Sequence, residues 1–238
     1  MKDRFSNLGA PTGSGSPDPA SDPFDMRTPA AAAPAEAIEP VMARAIVGGP
    51  FAHQQYTLRR KIFTLWHGAF HLYDVNGNVA AYMQQKALRL REDLRVYTDD
   101  SRQKELLQIR ARSIIDFGAT YDVFDSATDT LVGSLRRQGW KSFLRDTWLI
   151  LDSAGNEVGK IEEDNMALAL VRRFLMNLIP QSFTGTLGGQ PVFNFTQRFN
   201  PFVFKLDLDF SADRAGQLDR RLGIAAALLL ASIEGRQE

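Results

Sequence analysis

Leu222-Gly-Ile-Ala-Ala-Ala-Leu-Leu-Leu-Ala-Ser-Ile233 is the stretch on which the fold turns. It carries no charge on any face. As a helix rising about 1.5 Å per residue it spans roughly 18 Å. A bilayer core asks for about 20 residues and 30 Å, so the segment is too short to cross one. A helix apolar on every side is surrounded by protein. Gly223, Ala225, Ala226, Ala227 and Ala231 keep it thin. Charged residues bracket it, Leu218-Asp-Arg-Arg221 before and Glu234-Gly-Arg-Gln237 after. A thin apolar rod of this kind needs a wall around it.

The wall is written upstream. Leu88-Arg-Leu-Arg91, Leu94-Arg-Val96 and Phe202-Val-Phe-Lys-Leu-Asp-Leu-Asp-Phe210 alternate apolar and polar residues, as half-buried strands require. Four segments repeat a strand, an Asp, a turn and a second strand. They are Phe70–Asp74 with Val79–Tyr82, Leu94–Asp99 with Glu105–Ile109, Tyr121–Asp125 with Thr130–Leu135, and Trp148–Asp152 with Glu157–Ile161. The near-constant interval marks one hairpin unit reused. Asn76-Gly77 is a strong hairpin signal because both residues tolerate positive φ. A fifth hairpin is expected at Gly188-Gly189, between Phe183–Leu187 and Val192–Phe195. So many antiparallel strands must resolve their edges, and a closed barrel does so. The expected fold is mainly β: a closed antiparallel barrel of about twelve strands around the buried C-terminal helix.

The remaining chain frames this domain. Residues 1–48 hold seven of the eleven prolines among Gly, Ser, Asp and Ala. They read as a disordered tail, too poor in apolar surface to offset the entropy of ordering. The barrel domain is expected over 49–238. A further helix is expected near 163–179, with acids at its start and arginines further along to suit the macrodipole. Met166, Leu170, Phe174 and Leu178 give it a broad apolar face, suited to the outside or one end of the barrel.

The repeated units, Arg198-Phe-Asn-Pro-Phe202, Leu206-Asp-Leu-Asp209 and the terminal Leu218–Glu234 together resemble the LURP-one-related and phospholipid scramblase superfamily. The resemblance covers roughly residues 54 to 236. It implies the Tubby C-terminal-like fold, a twelve-stranded barrel around a hydrophobic helix. Two departures weigh against scrambling. The chain has no Cys to be lipidated, and Gln190–Phe199 lacks the carboxylates of the scramblase calcium segment. The chain is closer to the LURP-one-related branch.

Little here points to catalysis. With no Cys, disulfides, thiolate metal sites and cysteine nucleophiles are excluded. His53, His67 and His71 have no carboxylate cluster at ligand spacing. No phosphate loop or nucleophile elbow occurs in a folded segment. Asp74, Asp99, Asp125 and Asp152 read as turn residues bonding their own backbone. No catalytic residue, metal or cofactor is expected, and the chain reads as a non-enzyme.

Charge offers a partner instead. Net charge is zero, so bulk charge favours neither nucleic acid nor an acidic membrane. Yet residues 51–145 hold 15 basic and 10 acidic residues. Clusters fall at Arg59-Arg-Lys61, at Lys86, Arg89 and Arg91, and at Arg136, Arg137, Lys141 and Arg145. The last group interleaves Trp140 and Phe143. Arg136, Arg137, Trp140, Lys141 and Arg145 are the candidate contacts for anionic phospholipid headgroups. The tubby resemblance also implies lipid binding by basic strands. The expected function is thus a lipid- or membrane-associated binding protein. The alternatives are a protein-interaction module that does not bind lipid, or a hollow barrel carrying an apolar ligand. No nucleic-acid partner and no transmembrane span are expected. No apolar leader is visible in Met1–Gly15, so the expected location is cytoplasmic, peripheral to a membrane.

Overall fold

The computed structural model describes residues 49–61, 67–86, 93–112, 119–138, 147–164, 181–198, 200 and 202–234. The expected tail 1–48, the strand at Leu88–Arg91 and residues 165–180 of the expected helix lie outside them. The start of that helix is corrected: Glu163 is the last residue of a strand, where Phe183 faces it across the ladder.

Twelve strands follow in order: β1 Gln55–Lys61, β2 His67–Tyr73, β3 Val79–Lys86, β4 Leu94–Tyr97, β5 Glu105–Ala111, β6 Thr120–Asp125, β7 Thr130–Gln138, β8 Thr147–Leu151, β9 Glu157–Glu163, β10 Ser182–Leu187, β11 Gln190–Arg198 and β12 Val203–Asp209. Each pairs antiparallel with its sequence neighbour. The ladder Gln55↔Asp209 to Lys61↔Val203 joins β1 to β12 and closes the barrel. Closure leaves no unpaired edge among these strands. Period two fills the interior: Leu206 and Leu208 of β12 are 1% exposed, while Lys205, Asp207 and Asp209 alternate outward.

The helix α1, Arg220–Glu234, supplies the axle. Every residue from Leu222 to Ser232 is buried. Burial on all faces means wall on all sides, and α1 packs on β6, β7 and β12. The interior is filled by this helix, which removes the hollow-barrel alternative. Asp219 caps it, accepting the Arg221 amide at 2.9 Å. The one hydroxyl of α1, on Ser232, donates to the Leu228 carbonyl at 2.6 Å. Packing at the entry is tight. A Cβ on Gly223 would lie 2.6 Å from Phe210 Cε1. Phe210 in turn meets Phe193 and Phe195 edge-on, at 5.8 and 5.7 Å.

The repeated Asp works as a turn residue. Asp74 accepts the amides of Asn76 (2.9 Å) and Asn78 (2.8 Å), and Asp152 those of Ala154 (2.9 Å) and Asn156 (2.8 Å). Asp125 takes Ala127 and Thr128, and Asp99 takes Ser101. One detail differs from the sequence reading. Of Asn76-Gly77 only Gly77 has positive φ (81°). The Gly77 amide donates to the Asp74 carbonyl at 3.1 Å. The Asp carboxylate, holding two amides, selects this three-residue turn over the two-residue one.

Candidate functional site

The two mouths of the barrel differ in kind. All five short hairpin turns and the entry of α1 lie at one, the turn mouth. Its strand ends and turns carry Asp74, Asp99, Asp100, Glu105, Asp125, Asp129, Asp152, Glu157, Asp209, Asp213 and Asp219, against Arg102, Lys104, Arg214, Arg220 and Arg221. Asp74, Asp125, Asp152 and Asp213 are engaged by neighbouring amides. Burial raises Asp125, but amides from Ala127 and Thr128 and the Arg221 guanidinium hold it below the usual carboxylate range. Asp74 and Asp152 sit low for the same kind of reason, their neighbouring Asn residues outweighing desolvation. Asp213 accepts the amides of Gln217 (2.8 Å) and Leu218 (3.0 Å). Arg220 stacks 4.2 Å over Phe210, and burial lowers its pKa. Burial also pushes Tyr56 up to about 12. Among the described residues no cluster of three or more His, Asp or Glu is placed to hold a metal.

The opposite mouth is basic. At or next to the strand ends there lie Arg60 and Lys61 (β1), Lys86 (β3), Arg112 (just after β5), Arg136 and Arg137 (β7) and Arg198 (β11). Against them stand Glu162 and Glu163 at the end of β9, Asp164 after them, and Asp93 just before β4. Of the five candidate headgroup contacts, Arg136 and Arg137 are placed at this mouth, and Trp140, Lys141 and Arg145 lie outside the described residues. Strand alternation turns Arg137 to the inner side with buried Leu135, and Arg136 to the outer wall, 3.6 Å from Glu157.

Two features escaped the sequence reading. Phe202 is 65% exposed. Period two assigns it inward with Leu206 and Leu208, but β12 starts one residue later, beyond which the wall ends. Asn200 Oδ1 accepts the amides of Phe202 (2.9 Å) and Val203 (3.0 Å), fixing the turn into β12. The second is a groove of about 740 Å³ on the outer wall where β12 meets β1. Thr57, Asp207 and Asp209 line it, with Arg59 and Tyr73 on one side and Arg198 on the other. Thr57 donates to Asp207 at 3.0 Å, Arg198 pairs with Asp207, and Arg59 lies 4.8 Å over the Tyr73 ring.

No helix among the described residues is long and apolar enough to cross a membrane. In comparison with known proteins, the model of the LURP-one-related family matches residues 54–231. No curated protein and no solved structure matches the chain.

Proposed function

Because the chain belongs to the LURP-one-related family, whose resemblance to tubby and scramblase barrels implies lipid contact, we propose that it is a non-enzymatic binding protein that docks peripherally on anionic phospholipid. The observation that carries this reading is the segregation of charge between the mouths. A neutral chain gains nothing from a charged surface unless its charges are separated by more than the screening length. The nine residues of β7, at about 3.3 Å each, put roughly 20–30 Å between the mouths once strand tilt is allowed for. That is two or more Debye lengths, each about 8–10 Å. Arg136 is paired along the wall with Glu157, and the other charges of the two mouths lie too far apart to cancel at a membrane. Each basic residue near an anionic surface contributes about 1 kcal/mol.

Vesicle flotation tests this. The chain is expected to float with phosphatidylserine vesicles, less so as salt rises, and not with phosphatidylcholine alone. Arg136→Glu with Arg137→Glu should weaken binding about tenfold or more, since two charges are reversed. Equal binding to neutral and anionic vesicles, or none, would remove the reading. A chain that ignored every vesicle yet captured a specific protein would support the competing interaction-module function.

A further inference from the structure

The groove of about 740 Å³ at the β12–β1 seam crosses four neighbouring strands, β11, β12, β1 and β2. At about 4.8 Å between strands it extends roughly 14 Å around the wall. Two rungs of outward side chains line it. One reads Thr196, Asp207, Thr57, Tyr73, and the other Asn194, Asp209, Gln55. Arg198 of β11 and Arg59 of β1 flank β12 beside them. Asp207 takes the Thr57 hydroxyl at 3.0 Å and pairs with Arg198. Asp209 takes the Ser211 amide at 2.8 Å and the Gln55 side chain at 3.5 Å. Arg59 and Arg198 are both exposed. A carboxylate accepts at about four positions and a guanidinium carries several N–H donors, so both kinds keep capacity toward the groove.

The mixture of charge decides what fits. Asp74, Asp207 and Asp209 stand against Arg59 and Arg198, so an anion or a cation that meets its complement here also meets its like. An apolar ligand would take water from these groups and return no hydrogen bond. A peptide strand finds no edge to pair with, because the barrel is closed. A sugar hydroxyl both donates and accepts. Hydroxyls on neighbouring carbons therefore give to a carboxylate and take from a guanidinium at once. We infer that the groove binds a neutral oligosaccharide, with Asp207 and Asp209 accepting from its hydroxyls and Arg59 and Arg198 donating to them. The span of the groove suits a short run of linked rings. The role is binding and not cleavage. Glycoside hydrolysis needs one of two carboxyls kept protonated. Here Asp207 is paired with Arg198, and hydrogen bonds from Ser211 hold Asp209 below the usual carboxylate range. The site stands on the outer wall, apart from the β7 arginines of the basic mouth, and is independent of the lipid reading.

The test applies the full chain to an array of neutral linear glucans, mannans, xylans and chitin fragments, with sulfated and uronate-bearing chains beside them. The best-retained glycan is then titrated by calorimetry. At least one neutral class is expected to bind. It should stay bound at salt concentrations that release the chain from phosphatidylserine vesicles, because no net charge is neutralised. Asp207→Asn with Arg198→Gln keeps the outline of the wall and removes both charges. It should weaken binding about tenfold or more, as for the loss of one or two charge-assisted hydrogen bonds. Arg59→Gln, at an exposed position with no ion pair to break, should weaken it severalfold with an unchanged melting temperature. Retention of no glycan would overturn the proposal. Binding that survives unchanged in both variants would put the sugar elsewhere and overturn it too. Retention of the sulfated and uronate chains alone would show an anion site and overturn the neutral ligand. None of these outcomes bears on the lipid reading, which vesicle flotation decides separately.

Discussion

The guanidinium of Arg221, in the first turn of α1, lies 2.5 Å from the carboxylate of Asp125, 96 positions earlier in the chain. The same guanidinium holds Asp219, the cap of the helix, at 2.6 Å. One side chain thus ties the axle to the β6–β7 turn of the wall. Both ends of the long-range pair are 17% exposed, so water screens it little.

That geometry sets the cost of breaking the clamp. Hydrogen bonds to charged groups contribute about 1.5–3 kcal/mol. Arg221→Gln is expected to cost about 2–3 kcal/mol, since it strands two carboxylates. Asp125→Asn should cost less, about 1–2 kcal/mol, because its amide oxygen still accepts the turn amides. Urea unfolding of both single variants and the double variant measures the coupling. A coupling of about 1.5 kcal/mol is expected, and strict additivity would show that the pair contributes nothing.

The low carboxylates give stability a pH dependence of fixed sign. In Asp125 the amides and Arg221 outweigh desolvation, and in Asp99 and Asp209 hydrogen bonds from Ser101 and Ser211 dominate. A carboxylate with a folded pKa below its unfolded value, about 3.9 for Asp, releases its proton more readily in the native state. Its contribution is complete above the unfolded pKa and is lost as pH falls through the folded one. Thermal melting should therefore be level from roughly pH 5 to 7 and fall below about pH 4. Asp125→Asn should have a shallower acid limb. A melting temperature that rises on acidification would contradict this.

Local patterns were legible in the sequence, and register was not. The strand–Asp–turn–strand repeat, the Gly188-Gly189 turn and local alternation located β2 through β12, and the uncharged run gave α1 to within two residues at its start. The turn role of Asp74, Asp99, Asp125 and Asp152 followed from short-range chemistry. By contrast β1 read only as a basic cluster, because Arg59-Arg60-Lys61 interrupts its alternation. The rung of Asp207 against Thr57, and the clamp of Arg221 on Asp125, exist only once the ends of the chain meet. Phe202 was misleading for a different reason: period two states a parity but not where the wall stops.

The central claim is that the wall closes on α1 so tightly that its thinness is required. Gly223→Ala measures this directly by urea unfolding. In an exposed helix interior the change stabilises by about 1 kcal/mol. Here the new methyl meets Phe210 Cε1 at 2.6 Å and Leu218 Cδ2 at 3.1 Å, and overpacking of that kind costs about 1–3 kcal/mol. Net destabilisation is the predicted result. A variant more stable than wild type by about 1 kcal/mol would show a helix with open space beside it, and would contradict the closed barrel around α1.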